Sequence, residues 1–598
     1  MKAHYQLIDF ISKKPVIPNG LVFAGEDSPW EVQMDISAIK AQLDLNYFKM
    51  APAGLAKYLP FMPIKKNSEF VSLKETATPL IKSQALGKRL NLELYFKVEG
   101  KNPTGSFKDR GSAVDITVAR EFKAPGIVLA STGNMAASCA CYAAAAKIPC
   151  FIFVPEGVAV AKLAQVIAYG GRIVQIKGTY NDAATLALSL AHKLGFYLAG
   201  DYAYRVEGQK TAAFEMIDQL FYQAPDWVVV PIGCGTNMTA YKKGFSEYQQ
   251  LGLINQMPQL LGVQAEGAAA VVHSYQKHSQ QIEGLAQADT LASAIAVPNP
   301  IDGVKALEAI YSTNGSAVAV SDSEILQAQY LLSTEEGLFV ESASAATIAA
   351  LIKSPHLIPP GSKVVCVLTG DGLKDAGVVL KAAIKPATIY PNDNEFLALY
   401  QNNFFKGKSM IFVDKNQVLF EKKPSIEDIR TQITTLIGAS YSEVYLVRIQ
   451  SILDKILTKG KAITVSDFQD SMQDALEMPL YQNKAVFSVQ DFTVTTRKDR
   501  VAEATVTVKI AGEEYQATAE GTGPVDAIIK ALSSACHTQI DFKLTEYKVE
   551  IRSHGTDAVV YVELKLVKNQ AYSLGCGTSP DIVQASIEAF EEAYNGFV

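Results

Sequence analysis

Residues 126–155, "GIVLASTGNMAASCACYAAAAKIPCFIFVP", set two short apolar runs around an alanine-rich segment, and their reading decides the fold. "GIVLA" and "CFIFVP" have no polar interruption, as expected of strands buried on both faces, while "GNMAASCACYAAAAK" has helix-forming composition. The alternation continues through "AVAKLAQVIAYG", "GRIVQIKG" and "YNDAATLALSLAHKLG", which read as helix, strand and helix. Strands alternating with helices predict an α/β fold with a doubly wound parallel sheet. Such sheets bind ligands beyond the carboxyl ends of their strands, so the residues that follow each apolar run are the candidates for chemistry.

The chain has 598 residues, too many for one core, and its 48% hydrophobic and 19% charged residues are those of an ordinary globular protein. A net charge of -6 offers no basic footprint, so no nucleic-acid or membrane partner is expected, and small-molecule chemistry is. The seven cysteines stand singly without CxxC spacing, which indicates neither a disulfide framework nor a metal site and suits a reducing, cytoplasmic location. "MKAHYQLIDFISKKPVIPNG" lacks the apolar run of a signal peptide, and the most apolar stretch is broken by Lys147 and Pro149.

Four segments of the first part carry chemistry. In "KVEGKNPTGSFKDRG" (97–111) Lys108 follows a Gly-Ser loop and opens a predicted helix. It is either a solvated lysine or an imine-forming nucleophile, its amine deprotonated by desolvation or a nearby cation. "ASTGN" puts Asn134 at the end of the strand "GIVLA", within reach of a ring oxygen. "PDWVVVPIGCGTNMTAYKKGF" (225–245) reads as a buried strand, a glycine loop and a helix, the loop at Gly233 to Asn237 being either a tight turn or a phosphate cradle. "KVVCVLTGDGLKD" (363–375) ends a strand at Thr369, whose hydroxyl either caps the strand end or meets a ring nitrogen.

Pro386 and Pro391 mark a composition break, and the segments expected are 1–70, an N-terminal part of the catalytic domain; 71–390, the catalytic domain; 391–482, a connecting region; and 483–598, a last domain. The connecting region holds the hairpin-like "SMIFVDKNQVLFEKK" and the amphipathic helices "SIEDIRTQITTL" and "LVRIQSILDKILTKGKAITVSDFQDSMQDALE". The last domain repeats itself: Val506, Val508 and Ile510 match Val560, Val562 and Leu564, and Gly521 and Gly523 match Gly575 and Gly577, an offset of 54. This predicts two ββα units sharing one core, with glycine loops as symmetry mates. His537 and His554 read as surface histidines and Cys576 as a small loop residue.

"NPTGSFKDRG", "STGN", "RVEGQKT", "FVESASAA" and "LTGDGLKD" together resemble pyridoxal-phosphate enzymes of the tryptophan synthase β-like type, fold type II, and threonine synthase in particular, over about residues 20 to 385. The resemblance implies two sheet subdomains and the cofactor pyridoxal 5'-phosphate. It implies Lys108 as the catalytic lysine that carries the cofactor, Asn134 at its phenolic oxygen, Thr369 at its pyridine nitrogen, and Gly233, Cys234, Gly235, Thr236 and Asn237 at its phosphate. For the substrate it implies Ser106, Thr132, Arg205 and Lys210, with Arg205 as the phosphate ligand and Lys101 a lesser candidate. The implied reaction is a lyase reaction, O-phosphohomoserine and water giving threonine and phosphate.

This chain departs from that family in three places. "AGDY" (199–202) replaces the usual Asn-Ser-x-Asn, putting Asp201 where an acid would repel phosphate; Asp371 replaces a usual His; and the N-terminal segment lacks the cysteines of a zinc knuckle. "GTGPVDAIIKAL", "GTDAVVYVELKL" and "GTSPDIVQASIEAFEEAYN" resemble the leucine-regulatory domain of 2-isopropylmalate synthase. That implies an amino-acid effector, leucine or isoleucine, at Gly521, Gly523, Pro524, Ala527 and Gly577, with Ile528 in an apolar wall, and a homodimer or higher homo-oligomer. The domain serving only to dimerise is the plainer reading. Two alternatives stay open for the whole chain: a related lyase or β-replacement enzyme, such as a threonine dehydratase or phosphoserine-using synthase, and a non-catalytic amino-acid-sensing regulator.

Overall fold

In the computed structural model the described residues are 5–382 apart from 26–27, 53, 66–67 and 159, and 393, 396–397, 418–437, 443–477, 486–536, 542–551, 559–568 and 571–596 apart from 459 and 499. The chain forms two compact units, Met1–Ala382 and Ala383–Val598.

Besides the antiparallel pair Tyr5–Asp9 and Trp30–Met34, the first unit holds two larger sheets. In the smaller, Arg172–Ile176, Cys150–Pro155, Ile127–Ala130 and Tyr197–Leu198 lie side by side, all parallel. In the larger, Ser316–Val320, Gln259–Ala265, Trp227–Pro231, Lys363–Leu368 and Glu93–Val98 run parallel in that order, and Leu80–Lys82 adds an antiparallel edge. The expected alternation is present, and covered faces explain why the strands lack polar interruption: Ile127, Val128 and Leu129 are fully buried. Local chemistry sets the helix limits. Tyr180–Leu194 begins with Thr179 and Asp182 in a reciprocal capping box and ends at Gly195, whose φ of 64° suits glycine. Strand order places the carboxyl ends of Trp227–Pro231 and Lys363–Leu368 side by side, and each leads directly into a candidate segment.

The second unit has two parts. Helices Ile426–Ile437, Glu443–Thr458 and Val465–Glu477 pack around Ile433, Leu446, Ile449, Leu453 and Phe468, beside the small antiparallel pair Val418–Phe420 and Ile463–Thr464. Most of the hairpin-like segment before Val418 lies outside the described residues, as do His537 and His554.

After them come two successive sheets, each three strands followed by a helix. The first is Phe487–Thr495, Ala502–Ile510 and Glu513–Gly521 with helix Pro524–Cys536; the second is Lys543–Ile551, Val560–Lys568 and Ala571–Ser579 with helix Ile582–Asn595. The repeat is therefore βββα, one strand more than expected per unit, and both helices bury their apolar faces in one shared core. Strands starting at 502 and 560, and at 513 and 571, and helices starting at 524 and 582 give an offset of 58, not 54. A slip of four residues preserves the inward and outward alternation of a strand, so apolar matching alone does not detect it.

Candidate active site

Lys108 is the first residue of helix Lys108–Glu121. The preceding loop is stitched to the end of strand Lys363–Leu368: the Phe107 N–H donates to the Thr369 carbonyl at 2.9 Å, and Asp371 N–H donates to the Gly105 carbonyl at 2.9 Å. Main-chain bonds thus bring together residues more than 250 positions apart. Asp371, where the resemblance expects a histidine, accepts from Leu373 N–H at 3.0 Å and caps the turn Gly372–Asp375.

Thr369 and Asn134 are joined by the glutamate of "FVESASAA". Glu341 accepts from Thr369 Oγ1 at 2.8 Å and from Asn134 Nδ2 at 2.8 Å. Ser344 Oγ completes the cluster at 3.0 Å from Thr369 Oγ1 and accepts from Gly370 N–H at 3.0 Å. Burial pushes the Glu341 carboxyl above its usual range, against the lowering effect of these two bonds. A Cβ on Gly370 would lie 2.4 Å from the Glu341 carboxyl carbon, so the glycine of "LTGDG" makes room for that acid. No single-sequence pattern reveals this: the glutamate opens helix Ser342–Lys353 and reads as an ordinary helix-start acid.

The glycine loop after Trp227–Pro231 opens helix Thr236–Leu251. Gly235 has φ 94° and its Cβ would meet the Asp302 carbonyl oxygen at 2.6 Å; a Cβ on Gly233 would lie 3.0 Å from the Ala294 carbonyl oxygen. The loop is therefore clamped with main-chain N–H groups at a helix start, where an anion is stabilised. Two buried polar atoms, Asn237 Nδ2 and Ser106 Oγ, have no hydrogen-bond partner among the described residues, as expected of groups whose partner is a ligand. A lysine amine, an amide, a hydroxyl at a strand end and a helix N-terminus with a spare amide suit a phosphorylated pyridine aldehyde. The donor set fits pyridoxal 5'-phosphate.

Lys108 Nζ lies 2.8 Å and 3.0 Å from the two oxygens of Asp201. The acid that the sequence places near a substrate phosphate is thus already neutralised by the lysine. Arg205 is not presented to the site. Its guanidinium is completely buried, donating to the carbonyls of Gly200 at 2.9 Å and Lys108 at 3.2 Å and pairing with Asp115 at 3.0 Å. Burial pushes the Asp115 carboxyl up to about 6, against the pull of Arg205. Lys210 is equally buried and pairs with Glu207 at 2.6 Å and Glu247 at 2.8 Å, away from the Lys108 cluster's own contacts. Thr132 is half-buried in the turn between strand Ile127–Ala130 and helix Asn134–Ala146. Lys101 is largely exposed, its Nζ 3.9 Å from Asp371 Oδ2.

In the second unit the strand glycines serve packing. Gly577 lies within strand Ala571–Ser579, where a Cβ would meet the Ala585 carbonyl oxygen at 1.9 Å, and one on Gly575 would meet that of Ala589 at 2.0 Å. They let helix Ile582–Asn595 sit directly on the strand, so Gly577 is not at a helix start and is not the mate of Gly523. Cys576 is likewise a strand residue, its N–H donating to Glu592 at 2.7 Å. At the other helix, Pro524 is the first residue, Ala527 is buried, and Thr522 N–H donates to Asp526 Oδ2 at 2.8 Å, which caps the end with the protein's own acid. Among the described residues no cluster of acids, histidines and cysteines could hold a metal, and no helix is long and apolar enough to cross a membrane.

The first unit therefore carries the site of a cofactor-dependent enzyme of the pyridoxal-phosphate class. Residues 71–370 match the family described as "Pyridoxal-phosphate dependent enzyme", half of the chain, and the chain belongs to it. Within that family it is 43% identical over 364 residues to the threonine synthase of Methanocaldococcus jannaschii, covering 60% of this chain and 90% of that protein. It is 42% identical over 340 residues to the threonine synthase of Synechocystis sp., covering 55% and 87%. Among solved structures, maize serine racemase aligns with a TM-score of 0.45 at 22% identity, over 51% of this chain and 91% of that one. Residues 462–598 match the "LeuA allosteric (dimerisation) domain".

Proposed function

We propose that the chain is a threonine synthase, converting O-phosphohomoserine and water to threonine and phosphate, with a tail that senses an amino acid. The observation that carries the first part is the convergence of Lys108, Asn134, Thr369 and the loop Gly233–Asn237 in a chain that spans about nine-tenths of the threonine synthase of Methanocaldococcus jannaschii. When bound, pyridoxal phosphate supplies an electron sink next to the substrate's α-carbon, and a hydroxyl partner such as Thr369, unlike a carboxylate, moderates that sink. Lys108 moves protons among the substrate carbons, the bond from the γ-carbon to phosphate breaks, and water adds at the β-carbon. Asn134 and Thr369, both held by Glu341, orient the ring, and Gly233–Asn237 hold its phosphate. Ser106, whose buried hydroxyl has no partner among the described residues, and Thr132, in the turn before Asn134, are the proposed substrate contacts.

The match of residues 462–598 supports feedback by a branched-chain amino acid through a self-associated tail. Such control requires that the effector bind two states of the enzyme unequally. Regulation and catalysis are tested in one set of assays. Incubation with O-phosphohomoserine yields equal amounts of phosphate and threonine; keto acid without threonine would identify a dehydratase-like enzyme instead. Leucine or isoleucine then changes the rate or the melting temperature at saturation, and indifference to leucine, isoleucine, valine and threonine would remove the sensing role.

A further inference from the structure

We propose that Asp201 is a positioning residue for Lys108: its carboxylate holds the lysine amine in place and receives it as an ammonium whenever it is released. The inference rests on the reading that Lys108 carries the cofactor. Both Asp201 oxygens are within 3.0 Å of Lys108 Nζ, and the side chains are 2% and 15% exposed, so water hardly screens the pair. One buried group fixes both ends: Arg205 donates to the Gly200 carbonyl, next to Asp201, and to the carbonyl of Lys108 itself. The Cys234 thiol, in the loop that follows strand Trp227–Pro231, adds to the lowering of the Asp201 carboxyl.

The other charged or titratable groups around the pair are accounted for. Arg205 is matched by Asp115, and Asp302 by Lys305 at 2.8 Å. Burial pushes Cys234, Tyr180 and Tyr202 above their usual values, leaving them neutral at pH 7. Burial raises the Asp201 carboxyl too, but Lys108 and Arg205 overcome it and hold it below the ordinary range. Asp201 is therefore a fixed negative charge with Lys108 as its own counter-ion. When Lys108 takes a proton from a substrate carbon, the C–H bond breaks with its electron pair left on the substrate and an N–H bond forms. Asp201 stays a carboxylate throughout and pairs with the new ammonium until the proton is returned.

The test uses the full-chain holoenzyme and the variants Asp201→Asn and Asp201→Glu. Without substrate, the pH at which the bound cofactor's visible absorbance changes falls by about one unit or more in Asp201→Asn, a tenfold loss of preference for the protonated nitrogen, and returns to within about 0.3 unit of wild type in Asp201→Glu. At pH 7, Asp201→Asn loses about 30-fold or more in kcat with KM within about threefold, because the interaction acts on the reacting lysine and not on substrate binding. An unmoved midpoint in Asp201→Asn, or an Asp201→Glu that behaves like it, overturns the proposal. If Asp201→Asn does not fold, Asp201→Glu decides: a midpoint near wild type supports the proposal and a one-unit shift overturns it. The absorbance measurement holds whether or not O-phosphohomoserine is the substrate, while a wild-type protein that takes up no cofactor overturns the reading of Lys108 and this proposal together.

Discussion

Gly235→Ala separates the proposed phosphate loop from an ordinary turn. The residue has φ 94°, and its Cβ would lie 2.6 Å from the Asp302 carbonyl oxygen, 2.7 Å from that carbonyl carbon and 3.1 Å from Gly303 N. Every one of these neighbours is main chain, held in turn by the Asp302 N–H bond to the Cys234 carbonyl at 2.8 Å, so no flexible side chain can give way. The left-handed conformation costs about 1–2 kcal/mol for an alanine. Overpacking adds about 1–3 kcal/mol. Together these reach about 2–5 kcal/mol, which the loop relieves by moving away from Asp302 and losing the alignment of its N–H groups. Cofactor affinity then falls about 30-fold to several-thousandfold. Titration of cofactor-free full-chain protein by visible absorbance measures this, and the rise in melting temperature on adding cofactor shrinks in parallel. Gly233→Ala, whose Cβ meets only one carbonyl at 3.0 Å, costs less. A Gly235→Ala protein that binds the cofactor within about threefold of wild type, or no worse than Gly233→Ala, would refute the reasoning.

Glu341→Ala leaves the Asn134 amide and Thr369 hydroxyl without their acceptor and weakens cofactor binding by about 30-fold. Glu341→Gln, which offers its oxygen to Asn134 and its N–H to Thr369, stays within about fivefold in the same titration. Glu215 is fully buried, with Lys97 within hydrogen-bond distance and Arg110 at 3.1 Å; burial raises its carboxyl, and the two cations overcome this and hold it at about 2, against an ordinary 4.5. Its folded value is the lower one, so its contribution of about 3 kcal/mol is present above pH 4.5 and is lost as pH falls toward 2. Glu215→Gln flattens that acid limb in urea titrations followed by cofactor absorbance and, with Arg110 and Lys97 left unmatched, costs about 3–5 kcal/mol at neutral pH. In the tail, Gly577→Val forces helix Ile582–Asn595 off its strand and destabilises that unit by about 3 kcal/mol. Gly523→Val enters open space and changes it by under about 0.5 kcal/mol; equal melting of the two variants would show that the strand glycines are not packing positions.

The catalytic architecture was legible because its signals are local. Continuous apolar runs such as "GIVLA" and "CFIFVP", short and alternating with helical segments, read as strands covered on both faces, and glycine loops after them mark carboxyl ends where ligands gather. Lys108, Asn134, Thr369 and Gly233–Asn237 are proposed from such positions and from motif resemblance. The extra strand of each tail repeat escapes the alternation pattern because a bulge interrupts it, between Val489 and Asp491 in Phe487–Thr495 and between Leu544 and Glu546 in Lys543–Ile551, and the second strand is largely exposed. The true offset was missed because period-2 patterns are unchanged by an even slip.

By itself, the sequence determined the α/β class through its alternating apolar runs, while the cofactor and the residues proposed to hold it came from the resemblance of short motifs to a known family. Only the tertiary structure decided which charges meet. Glu341 reaches Asn134 across 207 residues, Asp201 reaches Lys108 across 93, and Arg205 spends its guanidinium on Asp115 and two carbonyls behind the site. Such pairings depend on strand order and on which atoms are shut away from water, and neither quantity is written in any local stretch of the chain.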